Sequence, residues 1–577
     1  MKNRKLFAWI STMSLLSALV LPCVGCSDKK EDKDSKGTKT HVTVYSYNGG
    51  VGTAWLDEII ERFEAAYADV SFEEGKMGVV VDDPVIGQSN IDSVITMDYD
   101  VIFSESVTFN DLIAKGSLMD ISDIVTESLS NITDGVETGS IEDKMDVAIK
   151  TALKAQDGKY YMLPHYELYT GVTYDVDLFY EYSLYFKEGG GWTRNDGEMS
   201  VGPDGVRGTY DDGLPSSYEE FYALMDRMVS QQVTPFIYTG QYTNYTNDLL
   251  AGCWSAYSGK NEFELNVNFD SAATGTKARI INGFDGNTPV VEEVDITSEN
   301  GYLMSRSAGK YYALSLLEKI LGKSSYRSSK IKGTLSHLDA QTEYIYSNLE
   351  QQDPIAMLID GSYWVYEARD AFARSENTYK EAAKDRNFSW MPMPRQYAGS
   401  VTEGKGTKNA LLDTMSSFAG INAKTAGNAA KTAAAKAFLQ FCYTDESLVN
   451  FTTTTGVMKA LQYNVPADEL AKMMRFSQNL YEIRQNSDII YPYSDNPIFM
   501  NDQGNFFFLM HSSVWKSRVN GTPYVCAYTA MRQTNAVTAE QYFRGGWTTQ
   551  EDWNSTYSQY FTAARRKNRE VLTDDIG

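Results

Sequence analysis

HVTVYSYNGGVGTAWLDEIIERFEAAY, residues 41–67, joins a strand pattern to a helix pattern across one short turn. In its first eight residues β-branched and aromatic side chains alternate with polar ones, which predicts a strand. After the turn, apolar side chains recur at helical spacing with charged residues opposite them, at Leu56, Ile59, Ile60, Phe63 and Tyr67. A strand followed directly by an amphipathic helix is the unit from which α/β domains are built.

The same alternation continues further along the chain. VSFEEGK (70–76) and YDVIFSES (99–106) predict strands, while FNDLIAKGSLMDIS (109–122) and the Ala-rich residues 426–443 predict helices. Repeated βα units predict a mostly parallel sheet, with ligands bound near the carboxyl ends of its strands.

The length of the chain predicts more than one folding unit. Of 577 residues, roughly 540 remain beyond the N-terminal segment, too many for one core at about 100 to 200 residues per domain. Two stretches rich in Gly, Asp and Asn, residues 187–215 and 258–307, predict long irregular inserts. Aromatic residues supply 13% of the chain, including 39 Tyr, which leaves ring faces beyond those that a core needs.

The N-terminus has the layout of an export signal, in which basic residues precede a short apolar stretch. Val24-Gly25-Cys26-Ser27 resembles a bacterial lipobox, so we expect a signal peptide over residues 1–25 and lipidation of Cys26. Cys23 stands where a lipobox usually has leucine, and the alternative is a plain secretory signal followed by a disulfide pair. Residues 26–40 lack large apolar side chains and predict a disordered tether.

Cysteine usage and charge limit the classes of partner. Cys253, Cys442 and Cys526 are an odd number and widely spaced, which argues against a disulfide framework and against paired zinc ligands. The net charge of −24 disfavours nucleic acid and acidic lipid surfaces, because both are polyanions. A neutral or cationic ligand is easier to accommodate.

Catalytic signatures are scarce. The four histidines, at positions 41, 165, 337 and 511, do not form an HExxH motif, and the chain has no phosphate loop, GxSxG elbow or GxGxxG turn. A glycosidase needs only two carboxylates, and with 76 Asp and Glu residues the sequence does not exclude one.

The order of several segments carries more information than any single motif. They are HVTVYSYN with its helix, YDVIFSESVTFNDLIAKGSLMDIS, DGKYYMLPHYELYTGVTYDVDLF, DPIAMLIDGSYWVYEA, FSWMPMPRQ, MSSFAGINAKT and the helix that ends at FTTTTG. In this order they resemble the family 1 extracellular solute-binding proteins, the substrate-capturing lipoproteins of carbohydrate ABC importers. The resemblance covers about residues 41–560, apart from the two inserts.

The resemblance implies an α/β, periplasmic-binding-protein-like fold of type II, with two lobes that close on a sugar by hinge motion. The first crossing between lobes would be YYMLPHYELYTGVTY (160–174), the second SSFAGINA (416–423), and a third would follow Met458. The implied N-terminal lobe comprises residues 41–165 and 422–460, and the C-terminal lobe residues 166–421 and 461–577. The resemblance further implies a carbohydrate ligand, ABC permease subunits as partners, a membrane contact through the lipid only, a monomer and no required cofactor.

A sugar ring has apolar C–H faces and a belt of hydroxyls, so it suits aromatic rings combined with carboxylate or amide groups. Residues of these kinds at predicted strand ends and crossings are Tyr47, Asn48, Glu105, His165, Tyr166, Glu167, Tyr242, Ser362, Tyr363, Trp364 and Trp515. We expect Trp364 to stack on the sugar and Glu167 to hold ring hydroxyls from the hinge side, and we assign Trp55 and Trp254 to packing. A binding protein is therefore favoured, with a secreted glycoside hydrolase as the first alternative and a structural surface protein as the second.

One insert contains GPDGVRGTYDDGLP, residues 202–215. Closely spaced Gly and Asp residues supply carbonyl and carboxylate oxygens, which calcium prefers. The stretch resembles the GxDGxxGTxDD calcium loop of some bacterial pseudopilins, with Asp204, Asp211 and Asp212 at the matching positions. A structural Ca²⁺ and an ordinary cluster of Gly-Asp turns are both open interpretations.

Overall fold

The computed structural model describes residues 37–89, 91–105, 109–155, 157–350, 353–395, 408–414, 417–493, 515–533 and 535–555. The predicted signal peptide, Cys26 and most of the predicted tether lie outside these residues. Within the described residues, every helix is too short or too polar to cross a bilayer.

The strands, in chain order, are β1 Thr40–Val42, β2 Val44–Tyr47, β3 Val79–Val81, β4 Val85–Gly87, β5 Val101–Glu105, β6 Met162–Pro164, β7 Thr170–Asp175, β8 Tyr185–Phe186, β9 Trp192–Thr193, β10 Thr234–Tyr238, β11 Ala278–Asp285, β12 Thr288–Val294, β13 Ile355–Gly361, β14 Phe388–Met391, β15 Asn409–Leu412, β16 Ser417–Ile421, β17 Ser487–Ile490, β18 Ser517–Val519 and β19 Thr522–Tyr524.

The α-helices are α1 Ala54–Ala66, α2 Ile91–Val94, α3 Phe109–Ala114, α4 Ser122–Thr126, α5 Val147–Leu153, α6 Val176–Glu181, α7 Tyr218–Ser230, α8 Asn244–Ser258, α9 Lys260–Asn268, α10 Ser271–Thr274, α11 Ala308–Gly322, α12 His337–Leu349, α13 Trp364–Glu367, α14 Arg369–Tyr379, α15 Ala429–Phe441, α16 Asp445–Thr455, α17 Ala467–Leu470, α18 Arg475–Gln485, α19 Ala527–Met531 and α20 Ala539–Gly545.

Two central sheets define two lobes. The first lobe is built on five strands in the order β4-β2-β5-β16-β6, and the second on four strands in the order β10-β13-β7-β14. Strands β2, β4 and β5 are parallel, whereas β16 runs antiparallel to both of its neighbours. In the second sheet β10 and β13 are parallel and β7 is antiparallel to β13 and β14, so this sheet is mixed rather than mostly parallel.

The opening helix forms as predicted, while the strand predicted at residues 41–48 is divided into β1 and β2, which lie in different sheets. Helix α1 buries one apolar face, including Trp55, Ile59 and Phe63 at 0% exposure. The strand predicted at residues 70–76 is wrong: this stretch is a turn with Val70 exposed, and the strand is Val79–Val81 instead. A run of three buried valines has more apolar surface to bury than VSFEEGK, in which charged residues follow Phe72.

The second insert is more ordered than its composition indicates. Residues 258–307 contain α9 and an antiparallel hairpin of β11 and β12, which turns at Gly286. This insert has its own small core, formed by Leu265, Phe269, Ala278, Ile280, Ile296, Met304 and Trp553. A DG turn between alternating apolar residues is a hairpin signal, and the Gly and Asn content of the stretch obscured it.

Three crossing segments connect the lobes side by side. Residues 165–169 link β6 to β7, and their backbone pairs on one side with the segment after α16, through Glu167 N–H to Met458 O (3.1 Å). On the other side Thr414 N–H donates to Leu168 O (2.8 Å). Strand β16 begins at Ser417 and belongs to the first sheet, whereas the sequence predicts that this lobe resumes at residue 422.

Candidate ligand-binding cleft

The two lobes meet at the Gly49-Gly50 turn, directly after strand β2. A Cβ atom on Gly49 would lie 1.7 Å from Oε1 of Glu105, in the same lobe. A Cβ atom on Gly50 would lie 2.7 Å from the Tyr363 ring and 3.0 Å from Oε1 of Glu367, both in the second lobe. Gly50 also has a φ of 89°, which glycine adopts without strain. The turn therefore passes between carboxylates of opposite lobes, where no side chain would fit.

Glu105 forms the first-lobe side of the cleft at the carboxyl end of β5. Its side chain is buried and accepts a hydrogen bond from the Tyr166 hydroxyl, which comes from the first crossing segment. Burial raises the pKa of Glu105 to about 7; the Tyr166 hydrogen bond lowers it, and the negative charge of Glu367 across the cleft raises it further. The half-buried Tyr47 ring lies near the same carboxylate, since Glu105 contributes to the raised pKa of Tyr47 after burial itself.

Asp360 and Glu367 form the second-lobe side. Asp360 lies near the end of β13 with 1% exposure, and Glu367 follows one helical turn after Tyr363. Gln341 on α12 bridges them, donating from Nε2 to Asp360 Oδ2 (3.1 Å) and to Glu367 Oε2 (2.9 Å). Burial and the neighbouring Glu367 hold the pKa of Asp360 well above its ordinary range, and burial raises the pKa of Glu367 to about 7.

Aromatic rings surround these carboxylates on the second-lobe side. The Tyr363 hydroxyl lies 3.2 Å from that of Tyr245 on α8. The Tyr245 ring stacks on His337 with centroids 6.1 Å apart, and the Tyr242 ring lies 5.5 Å from the same imidazole. Tyr242 is 40% exposed and marks the outer edge of the group. The arrangement supplies ring faces beside hydrogen-bonding groups, which suits a ligand with both apolar and polar surface.

The structure thus brings Tyr47, Glu105, Tyr166 and Tyr363 together at the cleft, with Tyr242 at its edge. Asn48 is exposed, and its backbone N–H donates to Gly87 O (2.8 Å). The remaining predicted ligand residues lie elsewhere.

Trp364 is a core residue, and the expectation that its ring faces the cleft is wrong. It has 0% exposure and lies 5.3 to 5.7 Å from the rings of Tyr344, Phe372, Phe388 and Phe476, all in the second lobe. The preceding residue, Tyr363, reaches the cleft instead. Adjacent residues at the start of a helix point about 100° apart, so only one of the two rings can face the other lobe.

His165 is likewise in the first-lobe core rather than the cleft. Its ring packs against Trp55, Phe103 and Phe451, and its Nδ1 lies 2.8 Å from Nζ of the buried Lys459. Burial and the Lys459 charge hold the pKa of His165 well below its ordinary value, so the neutral imidazole accepts the hydrogen bond. Trp55 and Trp254 are 0% and 1% exposed, which confirms their assignment to packing.

Glu167 is bound by groups of the hinge in this structure, and its contact with ligand hydroxyls stays a prediction. Arg484 on α18 forms an ion pair with Oε1, and the hydroxyls of Tyr169 (2.6 Å) and Tyr491 (2.5 Å) donate to the two carboxylate oxygens. With 1% exposure and three donors, most of the hydrogen-bonding capacity of this carboxylate is used within the protein.

Ser362 and Trp515 have structural contacts. Ser362 Oγ accepts from Tyr169 N–H (3.1 Å) and ties the end of β13 to the first crossing segment. Trp515 is 1% exposed, packs edge-on against Trp254, and accepts a hydrogen bond at its carbonyl from Tyr542. Trp515 is enclosed by its own lobe, whereas Ser362 lies at the hinge, beside Thr452 and Gly456; ligand contact of either side chain stays a prediction.

The Gly-Asp loop closes on itself through hydrogen bonds. Asp211 accepts from Asp204 N–H (3.0 Å) and from the Thr209 hydroxyl (2.9 Å), and Asp212 accepts from Gly208 N–H (2.8 Å). Burial and the Asp204 charge raise the pKa of Asp211 to about 7. In the part of the chain that the structure describes, no group of three or more His, Cys, Asp or Glu side chains is placed to hold a metal ion. The calcium site stays a prediction.

Sequence reasoning missed Asp360, Glu367, Gln341 and His337 as cleft residues. Asp360 had a usable signal, because it ends the apolar run IAMLID, where a carboxylate interrupts a buried strand. The other three lie on helices, and nothing in the local pattern distinguishes them from surface residues.

Two α/β lobes joined by three crossing segments around a polar, aromatic cleft define a two-lobed binding protein. The family model described as bacterial extracellular solute-binding protein matches residues 49–448, and the chain belongs to this family. The fold is its two-lobed type II fold. Because the family consists of solute-binding proteins, the prediction of a binding protein rather than an enzyme is confirmed.

Solved structures share the fold at low sequence identity. A maltose-bound MalE3 from T. maritima aligns with a TM-score of 0.50 and 12% identity, over 90% of this chain and 100% of that one. A chitin oligosaccharide binding protein (TM-score 0.48, 15% identity, 92% and 100% coverage) and RafE in complex with raffinose (0.47, 14%, 90% and 100%) are also similar. A search of curated proteins finds no match.

Proposed function

We propose that this protein captures a carbohydrate outside the cytoplasm and delivers it to the permease subunits of an ABC importer. The observation that supports the carbohydrate most directly is the cleft itself, where the Tyr47 and Tyr363 rings and the Tyr166 hydroxyl stand beside Glu105 and Glu367. Rings that cover C–H faces and carboxylates that accept from hydroxyls are the two groups that a sugar requires.

Capture follows from closure of the lobes. A ligand that contacts both Glu105 of one lobe and Tyr363 of the other binds the closed form better than the open one, and this difference drives closure. The three paired crossing segments limit the motion to a hinge. The permease then recognises the closed form, and the protein acts as a monomer.

A thermal-shift screen against mono- and oligosaccharides tests this function. A ligand at 100 times its dissociation constant adds about 2.7 kcal/mol of stability, which raises the melting temperature measurably. Chromatography of the sugar after long incubation should recover it unchanged. A screen in which no carbohydrate raises the melting temperature would overturn the proposal.

Tyr363→Ala supplies the site-specific arm of this experiment. Loss of an aromatic anchor costs roughly 2 kcal/mol or more, about thirtyfold in affinity. Tyr379→Ala is the matched control, because Tyr379 belongs to the same lobe but hydrogen-bonds Glu350 rather than a cleft residue. Equal affinities in the two variants would remove Tyr363 from the site.

Attachment to the membrane is proposed through Cys26, which would become the lipidated N-terminal residue. Cys26→Ala should abolish lipid labelling or release the protein into the medium, while Cys23→Ala should leave the labelling intact. Loss of the lipid in the Cys23 variant alone would place the cleavage site elsewhere.

A further inference from the structure

Most other buried carboxylates in the described residues have a cationic partner, whereas the cleft carboxylates do not. Four buried carboxylates outside the cleft are each paired with Arg or Lys: Asp100 with Lys431, Glu167 with Arg484, Asp175 with Arg386 and Glu262 with Arg279. Asp211 of the Gly-Asp loop is buried without an ion pair, but it accepts hydrogen bonds from Asp204 N–H and the Thr209 hydroxyl within its own loop. Glu105, Asp360 and Glu367 form no ion pair with Lys or Arg anywhere in the described residues. The one basic side chain described within ion-pair distance of Glu367 is His337, whose Nε2 lies 3.6 Å from Oε1.

One described guanidinium influences Glu367 but does not fill this role. Arg369 lowers the pKa of Glu367 as its third influence after burial and the Gln341 hydrogen bond. However, the exposed Arg369 side chain donates to the Tyr366 carbonyl (2.9 Å) and lies over the Tyr366 ring. His337 is held largely neutral, because burial lowers its pKa.

A second observation concerns Gln341, which reaches into the same group. It has 0% exposure, and its Nε2 is used by Asp360 and Glu367, yet its Oε1 is buried without a hydrogen-bond partner. An unpaired buried acceptor is costly, and a ligand N–H would satisfy it. Carboxylate groups and amide oxygens both accept hydrogen bonds. The cluster therefore suits a ligand that supplies hydrogen-bond donors.

The aromatic groups around the carboxylates also suit a cation. They are the rings of Tyr245, Tyr363 and His337. Burial raises the pKa of Tyr245, and the negative charges of Asp360, Glu367 and Asp248 raise it further. Ring faces attract cations, and burial strengthens the attraction. A net charge of −24 adds a long-range field that favours a positive ligand.

We infer that the cleft takes a carbohydrate that carries at least one protonated amino group, which binds among Glu105, Asp360 and Glu367. This inference rests on the proposed function and specifies the ligand within it. Burial raises the pKa values of these carboxyls in the unliganded protein, which favours their protonated forms below about pH 7. Arrival of an ammonium group favours the carboxylate forms, so the displaced proton passes to the solvent. Burial raises the pKa of Asp175 to about 6 even beside Arg386, so the inference depends on the missing partner and not on the pKa values.

Matched sugars that differ only at the nitrogen test the inference. Glucosamine and galactosamine, and glucosamine oligosaccharides of two to four units, are compared with their N-acetylated forms by calorimetry. A charged hydrogen bond in place of a neutral one predicts at least about tenfold tighter binding of the amine. Titrations at pH 6.5 in buffers of different ionisation enthalpy should show proton release for the amine and none for the N-acetyl form.

Variants assign the effect to the cleft. Glu367→Gln and Glu105→Gln should each reduce the preference for the amine toward equality, because glutamine has nearly the same shape without the charge. Glu381→Gln is the control, since Glu381 is 85% exposed and pairs with Lys384. An unchanged preference in both cleft variants would overturn the inference.

The possible outcomes distinguish the amino group of the ligand from the carbohydrate function. Equal or tighter binding of N-acetylated or other neutral sugars overturns the amine and leaves the carbohydrate function standing. A panel in which no amino sugar binds also overturns the inference. Binding of a simple polyamine such as spermidine without any sugar would support the cationic cleft and overturn the carbohydrate.

Discussion

The hinge and the cleft both contain buried carboxylates, but only the hinge carboxylate has a cationic partner in the described residues. At the hinge, Glu167 receives Arg484 and two tyrosine hydroxyls, so its charge is neutralised within the fold. In the cleft, Glu105, Asp360 and Glu367 receive Tyr166 and Gln341 but no Lys or Arg from the described residues. A buried charge without a partner is costly. The contrast indicates that the hinge carboxylate holds the structure together, while the cleft carboxylates remain available for a ligand.

Removing the hinge cation should have the largest effect. Arg484→Met leaves Glu167 buried and unpaired, and breaking a buried pair in this way lowers the free energy of unfolding by about 3–5 kcal/mol. Urea denaturation followed by tryptophan fluorescence measures the change.

Two controls accompany this variant. Arg544→Met breaks the partly exposed pair with Glu540 and should cost about 0–1 kcal/mol. The double variant Glu167→Gln/Arg484→Met removes both charges and should recover part of the loss. A cost below about 1 kcal/mol for Arg484→Met alone would show that the hinge pair is not structural.

Trp364 and Tyr363 extend the contrast to aromatic residues. Trp364→Ala removes a fully buried ring and should lower the free energy of unfolding by about 3–5 kcal/mol. Tyr363→Ala, at the half-buried neighbour, should cost clearly less stability while weakening ligand binding. Melting curves and calorimetry on the two variants decide the matter. A stable Trp364→Ala protein that no longer binds ligand would return Trp364 to the cleft.

The cleft carboxylates should make stability depend on pH in the opposite sense from a salt bridge. The pKa of Glu105 and of Glu367 is about 7 in the folded protein against an ordinary value of 4.5. The folded state therefore binds more protons, and stability falls as pH rises from about 4.5 to about 7. Glu105→Gln or Glu367→Gln should flatten this fall and raise the free energy of unfolding at pH 8 by on the order of 2 kcal/mol.

Glu167→Gln is the matched comparison for these variants. It should destabilise the protein, since Arg484 then loses its charged partner. Melting temperatures between pH 5 and 8 distinguish the two behaviours. Cleft variants that are less stable than the wild type at pH 8 would contradict the contrast between the regions.

The Gly-Asp loop contains a third group of carboxylates, after those of the hinge and the cleft. Its partner would be a metal ion if the predicted calcium site exists. If Asp204, Asp211 and Asp212 hold Ca²⁺, chelation should remove about 1.4 kcal/mol when calcium is present at ten times its dissociation constant. A variant with all three changed to Asn should not respond to chelator. Equal responses of both proteins, measured as melting temperature, would leave the loop as ordinary turns.

The sequence by itself determined the α/β class, the opening helix, strand Val101–Glu105, the Ala-rich helix and the family. These features depend on local periodicity and on the order of segments, and both can be recognised from the sequence. The misread strand at residues 70–76 and the missed hairpin in residues 258–307 show the limit of local patterns, because composition there competes with burial.

Only the tertiary structure decided which polar residues face the cleft. Glu167 and Arg484 are separated by 317 positions, so no local pattern announces their pairing. Tyr363 and Trp364 are adjacent and both aromatic, and the packing of α12, α14, β14 and α18 around one ring leaves the other to the cleft. The role of a carboxylate or a ring in this protein follows from the partners that folding brings to it, and those partners come from distant parts of the chain.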